Sequence, residues 1–103
     1  EELAPLTHDK KIQLLGNYPN PFNPSTQIAF ELLVPARVQL DIYDIQGRKI
    51  AALLSGSVVS AGRHEQLFDA ARLSSGTYFY RLQAFSLGGE MLINTTRTMS
   101  LVK

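Results

Sequence analysis

Two histidines, His8 and His64, are the only imidazoles in this sequence. His64 stands five positions before Asp69, and with one of the many serines the pair can be written as a hydrolytic triad. Such a triad needs its nucleophile on a strained strand-to-helix turn, with glycine amides around it to hold an oxyanion. No serine here has that setting. His64 therefore reads as a strand residue hydrogen-bonded near the Ala61-Gly62 turn. The carboxylates Asp41, Asp44, Glu65 and Asp69 are dispersed over turns and strand ends, not set at the spacing of a calcium loop. Asp44 and Asp69 are expected to accept backbone hydrogen bonds within their own turns. Cysteine is absent, which removes disulfides, thiolate zinc sites and a cysteine nucleophile. The expectation is no catalytic residue, no cofactor and no metal ligand.

What remains is recognition by surface. Lys and Arg number 10 against 9 Asp and Glu, a net charge of +1, too balanced for nucleic acid to be the main partner. Apolar residues make up 45% and charged residues 18% of the 103 positions, the composition of one globular domain. No run approaches the about 18 consecutive apolar residues of a membrane span. The chain opens at Glu1 without methionine, as a fragment of something longer would. Tyr43 and Phe79, expected on an outer sheet face, are the two rings that could stack on sugars.

The elements that must position any such surface follow a period of two. Residues 1–10 mix charge and proline without a period and read as a linker tail. The domain is expected over 11–103, with a first short strand from Lys11 to Gly16. Between Asn17 and Thr26, Pro19, Pro21 and Pro24 forbid helix and ladder and predict a stiff extended connection. Tyr18 and Phe22 are expected to cap one end of the domain. Ile28, Phe30 and Leu32 then alternate with Gln27, Ala29 and Glu31, and Val38, Leu40 and Ile42 with Arg37, Gln39 and Asp41.

Asp44-Ile45-Gln46-Gly47 suits a tight hairpin into a return strand, Arg48 to Leu54. Ser55 to Gly62 reads as a loop, and Arg63 to Asp69 as a strand. Ala70 to Leu73 allows one helical turn. Thr77 to Phe85 is the clearest strand, with Tyr78, Tyr80 and Leu82 facing one way. Gly88-Gly89 turns into a final run, Glu90 to Lys103. About seven strands with no helical period describe an all-β, immunoglobulin-like antiparallel β-sandwich. At the entry of the Thr77 strand, Tyr78 is placed to turn its hydroxyl onto upstream backbone as a tyrosine corner.

Five blocks in order carry a family resemblance: Asn17 to Thr26, Ile42 to Arg48, Ala61 to His64, Phe68 to Ala70, and Leu73 to Leu82. Together with the ending Leu101-Val102-Lys103, they resemble the C-terminal sorting domain of the bacterial type IX secretion system of Bacteroidetes and related phyla. The signature positions of the resemblance are Asn17, Tyr18, Pro19, Pro21, Phe22, Pro24, Gly47, Gly62, Gly76 and Tyr78.

The resemblance implies a non-catalytic, monomeric immunoglobulin-like module. It would send a larger exported protein, an extracellular hydrolase for example, through the periplasm to the cell surface or the medium. The implied partners are the outer-membrane secretion machinery, a sortase-like protease and cell-surface lipopolysaccharide. Met99, Leu101, Val102 and Lys103 are the residues expected to be recognised, with strand addition as the means. The alternative is a carbohydrate-binding or spacer module of a secreted polysaccharide-degrading enzyme. Two departures stand out: Gln66 occupies an inward position, which predicts an edge strand or an internally bonded amide, and the stretch from Leu82 to Met99 is long.

Overall fold

The computed structural model describes residues 12–103, so the linker tail at 1–10 and the strand start at Lys11 lie outside the described residues. Seven strands follow in order: β1 (Ile12–Tyr18), β2 (Ser25–Leu32), β3 (Ala36–Tyr43), β4 (Lys49–Val59), β5 (Gly62–Asp69), β6 (Gly76–Ser86) and β7 (Met91–Leu101). They form a three-stranded sheet, β1-β2-β5, and a four-stranded sheet, β4-β3-β6-β7, with every pairing antiparallel. This is the all-β sandwich expected from the alternation.

The core is the sum of the inward parities. Ile28, Phe30 and Leu32 of β2 meet Val38, Leu40 and Ile42 of β3 and Tyr80, Leu82 and Ala84 of β6, all buried. Each aliphatic or aromatic side chain so enclosed is worth about 1.5–3 kcal/mol over its exposed state. β5 lies at a sheet edge, and Gln66 is half-buried there, which explains how an amide is tolerated at an inward position.

Three expectations need correction. The loop predicted at Ser55 to Gly62 is for the most part strand, because β4 runs on to Val59 and pairs with Ala36 to Val38. Gly56, at φ +80°, is the extra residue of a bulge between Ser55 and Ser57, so the glycine bends the ladder without ending it. The proline-rich connection does take part in a ladder at one position: Phe22 keeps its N–H and forms an isolated parallel bridge with Leu101.

The third correction is Tyr18, which points outward at 82% exposure and caps nothing. The cause is a register shift between Leu14 and Gly16, which inserts one residue into β1. After it the parity set by Ile12 and Leu14 is reversed, so Tyr18 faces solvent and Asn17 turns in.

An odd number of strands puts the start of β1 and the end of β7 at opposite poles of the sandwich. One pole gathers the proline block, the β3–β4 turn, the β5–β6 connection and residues 101–103. The other carries Ile12, the β2–β3 and β4–β5 turns and the β6–β7 hairpin.

Candidate functional site

The pole bearing the chain's last residues is built from the proline block inward. Phe22 is buried and meets Phe68 edge-on at a centroid distance of 6.2 Å. Its N–H donates to the Ser100 carbonyl at 2.9 Å, and its own carbonyl accepts from the Val102 N–H at 3.0 Å. Asn20 Oδ1 accepts from the Ser100 N–H at 3.0 Å, and the Pro24 carbonyl accepts from the Ala70 N–H at 2.8 Å. The block thus binds β7 through both backbone groups of Phe22 and the Asn20 side chain, and the β5–β6 connection through the Pro24 carbonyl, the Phe22 N–H being a donor that proline lacks.

Asn17 and Thr26 close the block from its two ends. Thr26 Oγ1 donates to the Pro19 carbonyl at 2.9 Å, and Asn17 Nδ2 donates to Thr26 Oγ1 at 3.2 Å. Asn17 Oδ1 accepts from the Tyr80 hydroxyl at 3.2 Å, which joins the two sheets. Burial raises the Tyr80 phenol above its usual range, partly offset by the Arg97 guanidinium nearby.

The tyrosine corner is present: the Tyr78 hydroxyl donates to the Ser74 carbonyl at 2.7 Å. Ala70 to Leu73 makes a single turn closed by Leu73 N–H to the Ala70 carbonyl at 2.9 Å. Beside it the chain end is held three times. Val102 N–H bonds to Phe22, Lys103 N–H donates to Ser75 Oγ at 3.0 Å, and Lys103 Nζ donates to the Ala71 carbonyl at 2.6 Å. Met99 and Leu101 are each 1% exposed and belong to the core, whereas Val102 is 54% exposed. The four residues expected to be recognised are therefore divided between the inside and the outside of the fold.

The β3–β4 turn completes the pole. Asp44 Oδ1 accepts from Gln46 N–H at 2.9 Å and Arg48 N–H at 3.0 Å, and Oδ2 from Arg48 Nε at 2.9 Å. The backbone bond from Arg48 is the largest cause holding the Asp44 carboxyl below its ordinary value. Ile45, at the tip, is 67% exposed. Between it and the Ser74–Tyr78 stretch lies a depression of about 440 Å³. Of the signature glycines, Gly47 ends this turn, Gly76 opens β6 at the same pole, and Gly62 opens β5 at the other. Sequence reasoning did not find Asn20 or Ser75 at this pole. No residue-type pattern marks them, because each matters through where the fold brings it.

The chemical candidates separate. His64 Nε2 lies 2.8 Å from the Ser60 carbonyl and its ring packs on Phe30 at 5.6 Å. Asp69 Oδ1 accepts from Ala71 N–H at 3.0 Å. Five residues of extended strand, about 17 Å, keep the two apart. On the outer face of the four-stranded sheet, the Arg81 guanidinium lies over the Tyr43 ring at 5.3 Å and donates to its hydroxyl at 2.8 Å. One face of Tyr43 is thereby taken, so Tyr43 and Phe79 do not form an open stacking platform. Asp41, buried on that face, accepts from Gln39 Nε2 at 2.9 Å with Lys49 Nζ at 3.6 Å. Among the described residues, no three His, Asp or Glu side chains are grouped to hold a metal ion.

The model of the secretion system C-terminal sorting domain family matches residues 17–87, from the proline block into the β6–β7 hairpin. The chain belongs to this family. A sorting domain is a non-catalytic module of a secreted or cell-surface protein. The matched stretch of the sorting domain stops short of β7, so Val102 and Lys103 lie beyond it.

Among solved structures, the sorting domain is similar to the crystal structure of CopC from Methylosinus trichosporium OB3b. The TM-score is 0.60 at 14% identity, over 87% of this chain and 92% of that one. At that identity the likeness concerns the β-sandwich fold alone. No curated protein matches the sequence.

Proposed function

We propose that this sorting domain directs an extracellular hydrolase, or a passenger of similar kind, through the type IX machinery, and that the signal lies at the pole formed by the proline block and residues 99–103. One observation carries the reading. Val102 and Lys103 protrude from a strand end that is fixed by bonds to Phe22, Ser75 and Ala71, so the side chains are offered in one geometry. A receptor that meets a preorganised segment avoids the entropy of ordering it. Family membership supports the outer-membrane secretion machinery as that receptor. A sortase-like protease and cell-surface lipopolysaccharide are the further partners of this reading, acting after export.

The bonds to the proline block also bear on how recognition occurs. The outward backbone groups of Ser100 and Val102 are already paired with Asn20 and Phe22. Strand addition at the last residues is thereby closed, and side chains carry the contact.

The test is export of a reporter fused ahead of the full 103-residue chain in a bacterium that has the type IX system. The reporter is expected in the medium or on the cell surface, and in the periplasm when the outer-membrane translocon is deleted. Periplasmic retention in both strains would defeat the reading.

A further inference from the structure

A sheet edge exposes a row of backbone groups that only another extended chain can pair in register, and folds commonly blunt such edges with bulges. Four strands are edges here, β1 and β5 of one sheet and β4 and β7 of the other. The pairing of β1, β4 and β7 with their neighbours is interrupted by register shifts, that of β4 three times. β5 has none: Gly62 to Asp69 pairs residue for residue with Leu32 to Ser25.

The parity of β5 follows from one bond. Ala70 N–H donates to the Pro24 carbonyl in the same register, so Phe68, Gln66 and His64 turn their backbone groups to β2. Arg63, Glu65, Leu67 and Asp69 therefore aim theirs at the open side. The side chains of these four are exposed on the outer face, while His64 and Gln66 lie half-buried on the inner one. Facing β5 across the mouth of the sandwich, Ile50, Ala51, Leu53 and Leu54 of β4 are only partly buried, and a depression lined by Ile50, Ala51, Phe68 and Leu73 opens between the strands.

Charge selects the occupant. Set antiparallel against a second copy of itself, β5 uses all four outward residues in the register that places Gln66 on the twofold axis. Arg63 then stands opposite the second copy's Asp69, and by symmetry Asp69 opposite its Arg63, while Glu65 meets Leu67. Registers centred on Glu65 or on Leu67 would instead set Glu65 against itself or against Asp69, which repel. Both charges have capacity left. Arg63 Nη2 bonds to Glu65 at 3.1 Å as an exposed pair of small worth, and Asp69 engages Ala71 N–H through Oδ1.

We infer that the domain self-associates through β5, as an antiparallel dimer centred on Gln66 whose partner is a second copy of this chain. The smaller sheet would continue as β1-β2-β5-β5-β2-β1, and the same axis brings together the two open margins where Ile50, Ala51, Leu53 and Leu54 are partly buried. Antiparallel pairing points the two 99–103 poles in opposite directions, so the dimer covers neither. It takes the place of the monomer that the family resemblance implies, and it does not depend on the sorting reading.

Single cysteines in the full chain, which has none of its own, read the register. Gln66→Cys would face its own counterpart in a non-hydrogen-bonded pair, with about 4.5 Å between Cα atoms, within reach of a disulfide. His64→Cys, on the same face, is displaced from its counterpart by four residues, about 13 Å, beyond that reach. Under mild oxidation Gln66→Cys is expected to give roughly tenfold more cross-linked dimer than His64→Cys, or better. In the cysteine-free chain, Arg63→Glu should weaken dimerisation roughly tenfold or more by sedimentation equilibrium, and adding Asp69→Lys should restore it. Leu67→Pro removes an N–H that points away from β2, so it should abolish dimerisation while the circular dichroism of the folded domain is kept. A chain that is monomeric at every concentration, equal cross-linking at both positions, none at Gln66→Cys, or a dimer indifferent to Arg63→Glu would each overturn the inference.

Discussion

Phe22 and Leu101 run side by side as a parallel bridge, with both side chains in the core and the flanking amides bonded at 2.9 and 3.0 Å. The pair joins a segment near the start of the domain to its last strand, across 79 positions of sequence. With the pairing of Leu101 to Gly76 and the Lys103 bonds to Ser75 and Ala71, it fastens the last residues to the fold.

Replacing Phe22 by alanine is expected to destabilise the domain by about 3–5 kcal/mol, the usual loss for a buried phenylalanine that leaves a cavity. Urea unfolding measures it. Amide exchange at Val102 should accelerate more than at Leu82, because Val102 N–H depends on the Phe22 carbonyl directly while Leu82 lies in the centre of its sheet.

Tyr78→Phe removes the hydroxyl that donates to the Ser74 carbonyl and leaves the ring in place. The expected loss is about 0.5–1.5 kcal/mol, read from the shift in urea midpoint at unchanged slope. A larger loss would mean that the corner supports more of the pole than its one hydrogen bond.

Asn17→Ala and Tyr80→Phe should not be additive. Each removes one side of the 3.2 Å bond between the sheets, and Asn17→Ala also strands a buried hydroxyl. A double-mutant cycle is expected to give a coupling of about 1 kcal/mol, with Asn17→Ala the costlier single change.

Asp44 sets a pH dependence with a fixed sign. Its carboxyl is held below the ordinary 3.8, first by the Arg48 backbone N–H, then by the Arg48 side chain and the Gln46 N–H. A depressed carboxylate contributes stability that is complete above its unfolded pKa and is lost as pH falls through the folded one. Asp44→Asn should therefore be less stable than the unaltered domain at neutral pH, and the gap should close as pH drops well below 3.8. Urea midpoints across that range test it, and a gap that persists in acid would contradict the assignment.

Alternation was legible wherever a strand has one dry face. Ile28, Phe30 and Leu32, or Tyr78, Tyr80 and Leu82, announce their sheets because a slip of one residue would expose all three. Ser55 to Val59 was not legible as strand, since Ser55, Gly56 and Ser57 bring no apolar side chain to bury and only Val59 packs against the core. Tyr18 was misread for a related reason. A bulge at Leu14/Gly16 has no hydrophobic signature, yet it exchanges the faces of every residue after it. At the pole, Val102 could be separated from Leu101 by parity, but Asn20 and Ser75 reach the end of β7 only through tertiary hydrogen bonds that no local pattern encodes.

The seven-strand count separates two errands in space. Ile12 and Val102 sit a strand's length apart, about 25 Å for eight residues. Anything bound over the Val102 pole therefore leaves the β2–β3, β4–β5 and β6–β7 turns, gathered beside Ile12, free for a second contact on the same molecule.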